Sequence, residues 1–235
     1  IFRDYLVVSE RKNGLVRLRL MPWSGAGEHY IQFDEPTYFS TVGINPDFNT
    51  QILRYNYQSL ITPSSVFDYD MGKRTKTLLK QDEVLGGYDQ TQYQSERLFA
   101  KAKDGTLIPL SLVYKKGVEK NGANPLLLYG YGSYGISMDA TFASSRLSLL
   151  DRGFIYAIAH IRGGQELGRE WYEDGKLLKK KNTFTDFINC AEYLVQEKYT
   201  NPDKLLALGG SAGGLLMGAV INMAPQAFKG VVAVV

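Results

Sequence analysis

The chain has 235 residues, 44% hydrophobic and 22% charged, an ordinary globular balance sized for one domain or a domain plus part of another. With 27 basic and 24 acidic residues the net charge is +3, which points to neither nucleic acid nor an anionic membrane as a partner. A single cysteine (Cys190) and two histidines (His29, His160) exclude a disulfide framework and a CxxC or His-rich metal site within the chain, so no metal or cofactor is expected.

The opening Ile1-Phe2-Arg3-Asp4-Tyr5 resembles neither a signal peptide nor a natural start. No apolar run approaches the ~20 residues of a membrane helix. Residues 5–9 and 15–20 read as strands around Asn13-Gly14, a strong hairpin signal. Residues 38–42, 51–60, 65–70 and 75–80 follow as four consecutive short strands with no helix between them. Four antiparallel strands make either one propeller blade or a plain β-meander, and a lone blade cannot bury both its faces.

After a loop at 82–92 the pattern changes. Residues 95–100 and 108–115 read as strands around Asp104-Gly105. Continuous apolar strands are expected at 125–129, 154–161, 205–208 and 230–235, with helices at 184–198 and 214–222. Apolar strands alternating with helices imply a parallel sheet buried on both faces. The Lys179-Lys180-Lys181 run reads as a solvated face, and Cys190 as a small core hydrophobe.

Ser211 lies in Gly209-Gly210-Ser211-Ala212-Gly213, between the third apolar strand and the next helix. That is the setting of the G-x-S-x-G nucleophile elbow, in which a strained strand-to-helix turn projects the hydroxyl clear of the sheet. The helix N-terminus favours developing negative charge, and the Ala212 N–H is the expected oxyanion donor. No Lys-Ser/Thr follows these glycines, which excludes a P-loop. The run Gly130-Tyr131-Gly132-Ser133-Tyr134-Gly135 matches GxGxxG literally. The next strand ends Ala159-His160-Ile161-Arg162, however, without the acid that a dinucleotide site requires. A loop lining the oxyanion side of a hydrolase site accounts for it better.

The texts LLLYGYGSYG, SRLSLLDRGF, IRGGQELGREWYEDGK, KKKNTFTDF and GGSAGGLLMG resemble the prolyl oligopeptidase family of serine peptidases, and within it the oligopeptidase B subfamily. The match runs through nearly all of 125–235. Residues 1–82 resemble the end of that family's seven-bladed propeller more loosely. The resemblance implies an α/β fold: the last blade or blades of a β-propeller over 1–82, then the first part of an α/β-hydrolase catalytic domain over 83–235. It makes Ser211 the acyl-forming nucleophile and Tyr131 the hydroxyl that donates to the oxyanion alongside Ala212. Tyr134 stands where the prolyl enzyme has a Phe lining its proline pocket, and Ala212 where that enzyme has Asn. Both departures favour the subfamily that cuts short peptides after Arg or Lys. Asp139 matches one of two acids that favour a second basic substrate residue, while Thr141 replaces the other.

Plainer roles stand beside these: Tyr131 as loop packing, Asp139 as a surface acid, and Arg162 as a structural ion-pair partner. In α/β-hydrolases the order is Ser, then Asp or Glu, then His, and no such residue follows Ser211. His160 precedes the serine and reads as structural. The chain is therefore expected to be incomplete at both ends, with its triad Asp and His elsewhere in the polypeptide and the fragment alone inactive. Short peptides with basic residues are the expected substrates and the cytoplasm the expected setting. The rival readings are an esterase or aminopeptidase of the same fold, or a non-catalytic scaffold with a relict elbow.

Overall fold

The computed structural model describes residues 1–234. They form two compact units: Ile1–Gln90 with Asp139–Ala143, and Thr91–Met138 with the chain from Ser144 onward.

The first unit is built of antiparallel strands. β1 (Tyr5–Lys12) and β2 (Leu15–Pro22) pair across Asn13-Gly14, both at positive φ (53° and 82°), as a tight twisted hairpin turn requires. The short β3 (His29–Tyr30), which no periodicity announces, adds to β2. β4 (Tyr38–Val42), β5 (Ile52–Ser59), β6 (Ser65–Asp70) and β7 (Thr75–Gln81) form a four-stranded meander in sequence order. Alternation on β2 buries Val16, Leu18 and Leu20, and on β5 it buries Leu53, Tyr55 and Tyr57. Leu18, Leu20, Leu53, Tyr55 and Tyr57 join Phe2, Ile31, Tyr69 and Met71 in one core, so the two sheets bury each other's apolar faces. This meets the requirement that a blade have a neighbour.

The second unit is a mixed six-stranded sheet in the order β13-β12-β10-β11-β9-β8. β8 (Tyr93–Lys101) and β9 (Leu107–Lys115) form an antiparallel hairpin at one edge. β10 (Leu126–Tyr129), β11 (Ile155–Ala159), β12 (Leu205–Gly210) and β13 (Gly230–Val234) run parallel. Every residue of β11 is buried, which explains its unbroken apolar text. Each fully buried Ile or Leu of this kind contributes about 1.5–3 kcal/mol.

Four helices accompany the sheet: α1 (Ser144–Leu150), α2 (Arg169–Glu173), α3 (Lys181–Gln196) and α4 (Ala212–Met223). α1 and α2 are too short to carry a readable period. α3 begins three residues before its apolar stripe, with a polar first turn, and the left-handed Lys198 (φ 58°) follows its end. Its buried face, with Phe187, Cys190, Ala191 and Leu194, shares the sheet's core with Leu216, Met217 and Val220 of α4. Among the described residues no helix is long and apolar enough to cross a membrane.

Candidate active site

The sheet order sets the site. β10 lies between β12 and β11, so the chain leaves β10 toward one side and later returns on the other. The crevice at the carboxyl ends of strands flanking such a reversal is where open α/β sheets bind ligands. Tyr129 of β10 is in register with Leu208 of β12. The tyrosine loop that follows β10 and the serine turn that follows β12 therefore emerge side by side.

Ser211 stands between β12 and α4 at φ 55°, ψ −118°, left-handed backbone that a residue with a side chain adopts only under constraint. The constraint is visible. Its N–H donates to the Val234 carbonyl at 2.7 Å, and its own carbonyl accepts the Gly214 N–H at 2.8 Å. The residue is exposed and its hydroxyl caps no helix N–H, which leaves the oxygen available to a substrate. Ala212 is the first residue of the twelve-residue α4, whose unsatisfied N–H groups and dipole favour an anion there.

Gly213 explains how Tyr131 reaches this turn. A Cβ at Gly213 would stand 2.8 Å from the Gly130 carbonyl oxygen and 3.7 Å from both Cα and Cδ2 of Tyr131. Only glycine lets the serine helix approach the tyrosine loop so closely. Tyr131 is half-buried against that helix, whereas Tyr134 (φ 58°) is 75% exposed. The structure thus packs Tyr131 against the helix that begins at Ala212, directly after Ser211. Asp139 belongs to the first unit, where Arg11 binds it through both carboxylate oxygens.

The residues that hold the tyrosine loop are the ones sequence reasoning did not single out. Gly135 N–H donates to the Gly163 carbonyl at 3.0 Å, and Met138 N–H to Glu166 Oε1 at 2.8 Å. Glu166 is buried and faces His160, with Nδ1 3.8 Å away, and His160 Nε2 lies 2.7 Å from Ser111 Oγ. His160 is thus occupied in the core of the sheet. His29 lies in the first unit, bonded to Tyr69 and to the Gly27 carbonyl. Arg162 is buried and bound to Asp186 at 2.6 and 2.9 Å and to Asp104 at 2.8 Å, and these carboxylates raise its pKa further. The paired glycines of Arg162-Gly163-Gly164 were the available signal for a tight turn, but nothing in the text says what the turn supports.

Among the described residues no group of three or more His, Cys, Asp or Glu is placed to hold a metal ion. The arrangement has parts for acyl transfer: an exposed hydroxyl on a strained turn and a helix N-terminus beneath it, with the tyrosine loop packed against that helix.

Comparisons with known proteins place the chain among peptidases. Two family models match, "Prolyl oligopeptidase, N-terminal beta-propeller domain" over residues 1–82 and "Prolyl oligopeptidase family" over residues 140–235. The chain is 50% identical to dipeptidyl aminopeptidase BI of Pseudoxanthomonas mexicana, over 97% of this chain and 32% of that protein. It is 44% identical to protease 2 of Moraxella lacunata, over 98% of this chain and 33% of that one. Among solved structures, oligopeptidase B from Leishmania major superposes with a TM-score of 0.88 at 45% identity, over 98% of this chain and 34% of that one. The chain therefore spans about a third of the length of these relatives.

Proposed function

The chain belongs to the prolyl oligopeptidase family of serine peptidases, and on that premise we propose that the protein it comes from is a serine oligopeptidase working through an acyl-enzyme on Ser211. The Ser211 hydroxyl attacks the scissile carbonyl. The Ala212 N–H and the Tyr131 hydroxyl donate to the oxygen as it gains charge. An Asp and a His outside residues 1–235 complete the triad, the His taking the serine's proton and returning it to the leaving amine. Without them Ser211 is a weak nucleophile, so residues 1–235 alone are inactive. The preferred substrates are short peptides cut after Arg or Lys, as in the oligopeptidase B that this chain resembles.

The observation that carries the reading is the backbone of Ser211, held at φ 55° on an exposed turn with Tyr131 alongside. A buried relict would have no reason to retain that strain. The test uses the full-length protein, a fluorophosphonate label and N-terminally blocked peptides with Arg, Lys, Pro or Leu joined through its carbonyl to a reporter amine. Labelling that survives Ser211→Ala, or turnover confined to the Pro or Leu peptides, refutes the assignment.

A second reading comes from the relative named dipeptidyl aminopeptidase BI. In that reading acyl transfer at Ser211 releases dipeptides from free N-termini. Peptides with free and acetylated N-termini separate the two, since only the aminopeptidase loses turnover on acetylation.

A further inference from the structure

We propose that Lys180 is a positioning residue of the oxyanion hole, its ammonium clamping the Gly132–Ser133 segment and so holding the Tyr131 hydroxyl in place. The inference rests on the reading of Tyr131 as an oxyanion donor. It gives a role to a residue that sequence reading places on a solvated face, Lys180 being the middle of a basic triplet.

The geometry is direct. Lys180 immediately precedes α3, and its Nζ donates to the Gly132 carbonyl at 2.5 Å and to Ser133 Oγ at 2.7 Å. Ser133 is 7% exposed, so its hydroxyl is held inside the loop. Lys180 differs from its neighbours in what it binds. The exposed Lys179 pairs with Asp174 at 2.6 Å, and Lys176 with Glu173 at 2.5 Å. Among the described residues no carboxylate forms an ion pair with Lys180, which turns inward and is half-buried. Burial lowers its pKa to about 8. A half-buried cation satisfied only by neutral acceptors is a poor device for stability, and the acceptors it has belong to one loop.

That loop needs a clamp. Tyr131 is flanked by Gly130 and Gly132, neither of which has a side chain to anchor the backbone. Gly132 is left-handed at φ 68°, and a Cβ there would run into the side chains of Thr183 and Ile161, so no larger residue fits. Glycine-flanked segments lose the most freedom on ordering. Holding a phenol to within a fraction of an ångström therefore needs bonds from outside the loop, and Lys180 supplies two of them to the residues that follow Tyr131.

The test is a double-mutant cycle on the full-length protein with a short peptide amide. Tyr131→Phe is expected to lower kcat by about 10²–10³-fold, as loss of one oxyanion donor does. Lys180→Met is expected to lower kcat on the order of 10–10²-fold with KM nearly unchanged, because misplacement of the donor is felt in the transition state. The Tyr131→Phe/Lys180→Met pair is expected to be no slower than Tyr131→Phe alone. An unchanged kcat in Lys180→Met, or losses that multiply in the pair, overturns the role of Lys180 while leaving Tyr131 its own. An unchanged kcat in Tyr131→Phe overturns the oxyanion reading itself and this inference with it. If Lys180→Met does not fold, Ser133→Ala and Lys180→Gln take its place in the cycle, with the same outcomes deciding.

Discussion

Arg11 grips Asp139 through both carboxylate oxygens, Nη1 to Oδ1 at 2.7 Å and Nη2 to Oδ2 at 2.9 Å, with the two side chains 26% and 18% exposed. The acid that family likeness offers to a basic substrate residue already holds a basic partner of its own. A substrate cation that uses Asp139 must compete with this guanidinium. We predict that Arg11→Met lowers KM roughly tenfold or more for peptides with Arg at the second site, relative to Ala there, and that Asp139→Asn raises it, since charge-assisted hydrogen bonds contribute about 1.5–3 kcal/mol. A KM ratio indifferent to both substitutions makes Asp139 a structural partner of Arg11 and nothing more.

Strain at Ser211 gives a prediction that separates backbone from chemistry. Replacement by Gly or by Ala removes the hydroxyl in both cases and should abolish turnover. Only glycine relieves the left-handed conformation at φ 55°. Ser211→Gly should therefore exceed Ser211→Ala in stability by about 1–3 kcal/mol, read as a higher Tm. Equal melting temperatures would show that the turn stores no strain.

The buried pair of Arg162 and Asp186 should dominate the local stability. Asp186 is fully buried, and removing it leaves the buried guanidinium with Asp104 as its one remaining carboxylate among the described residues. Asp186→Ala is expected to cost about 3–5 kcal/mol. Asp104, whose side chain is 47% exposed, binds the same guanidinium from the solvent side. Asp104→Ala should cost only about 0–1 kcal/mol. Denaturant midpoints for the two variants check the ordering.

Lys180 also predicts a pH dependence. Its pKa falls from 10.5 to about 8 on folding. Between those values the unfolded chain keeps a proton that the folded chain has released. This group therefore adds stability as pH climbs from about 8 toward 10.5, and that gain is lost as pH falls back. Nearby Lys179 and Lys176 are ion-paired with Asp174 and Glu173. The difference in Tm between the parent and Lys180→Met should shrink or invert below pH 8 and widen in the parent's favour above it.

Much of this architecture was written along the chain. Strands of the meander are recognisable because alternation has a period of two and turns use Asn-Gly and similar pairs. Ser211 could be named because its elbow is a contiguous motif, demanding small residues at fixed offsets beside one strand and one helix. Local sterics and local periodicity are properties of the sequence itself, and so they survive being read in one dimension. What only the tertiary structure decided lies in contacts between distant segments. The strand order β12-β10-β11 set Tyr131 beside Ser211. The carboxylate of Asp139 went to Arg11, the His160 ring to Ser111 and Glu166, and the ammonium of Lys180 turned inward to Gly132 and Ser133. A charged side chain takes whichever partner the fold brings within about 3 Å, and no spacing along the chain records that choice.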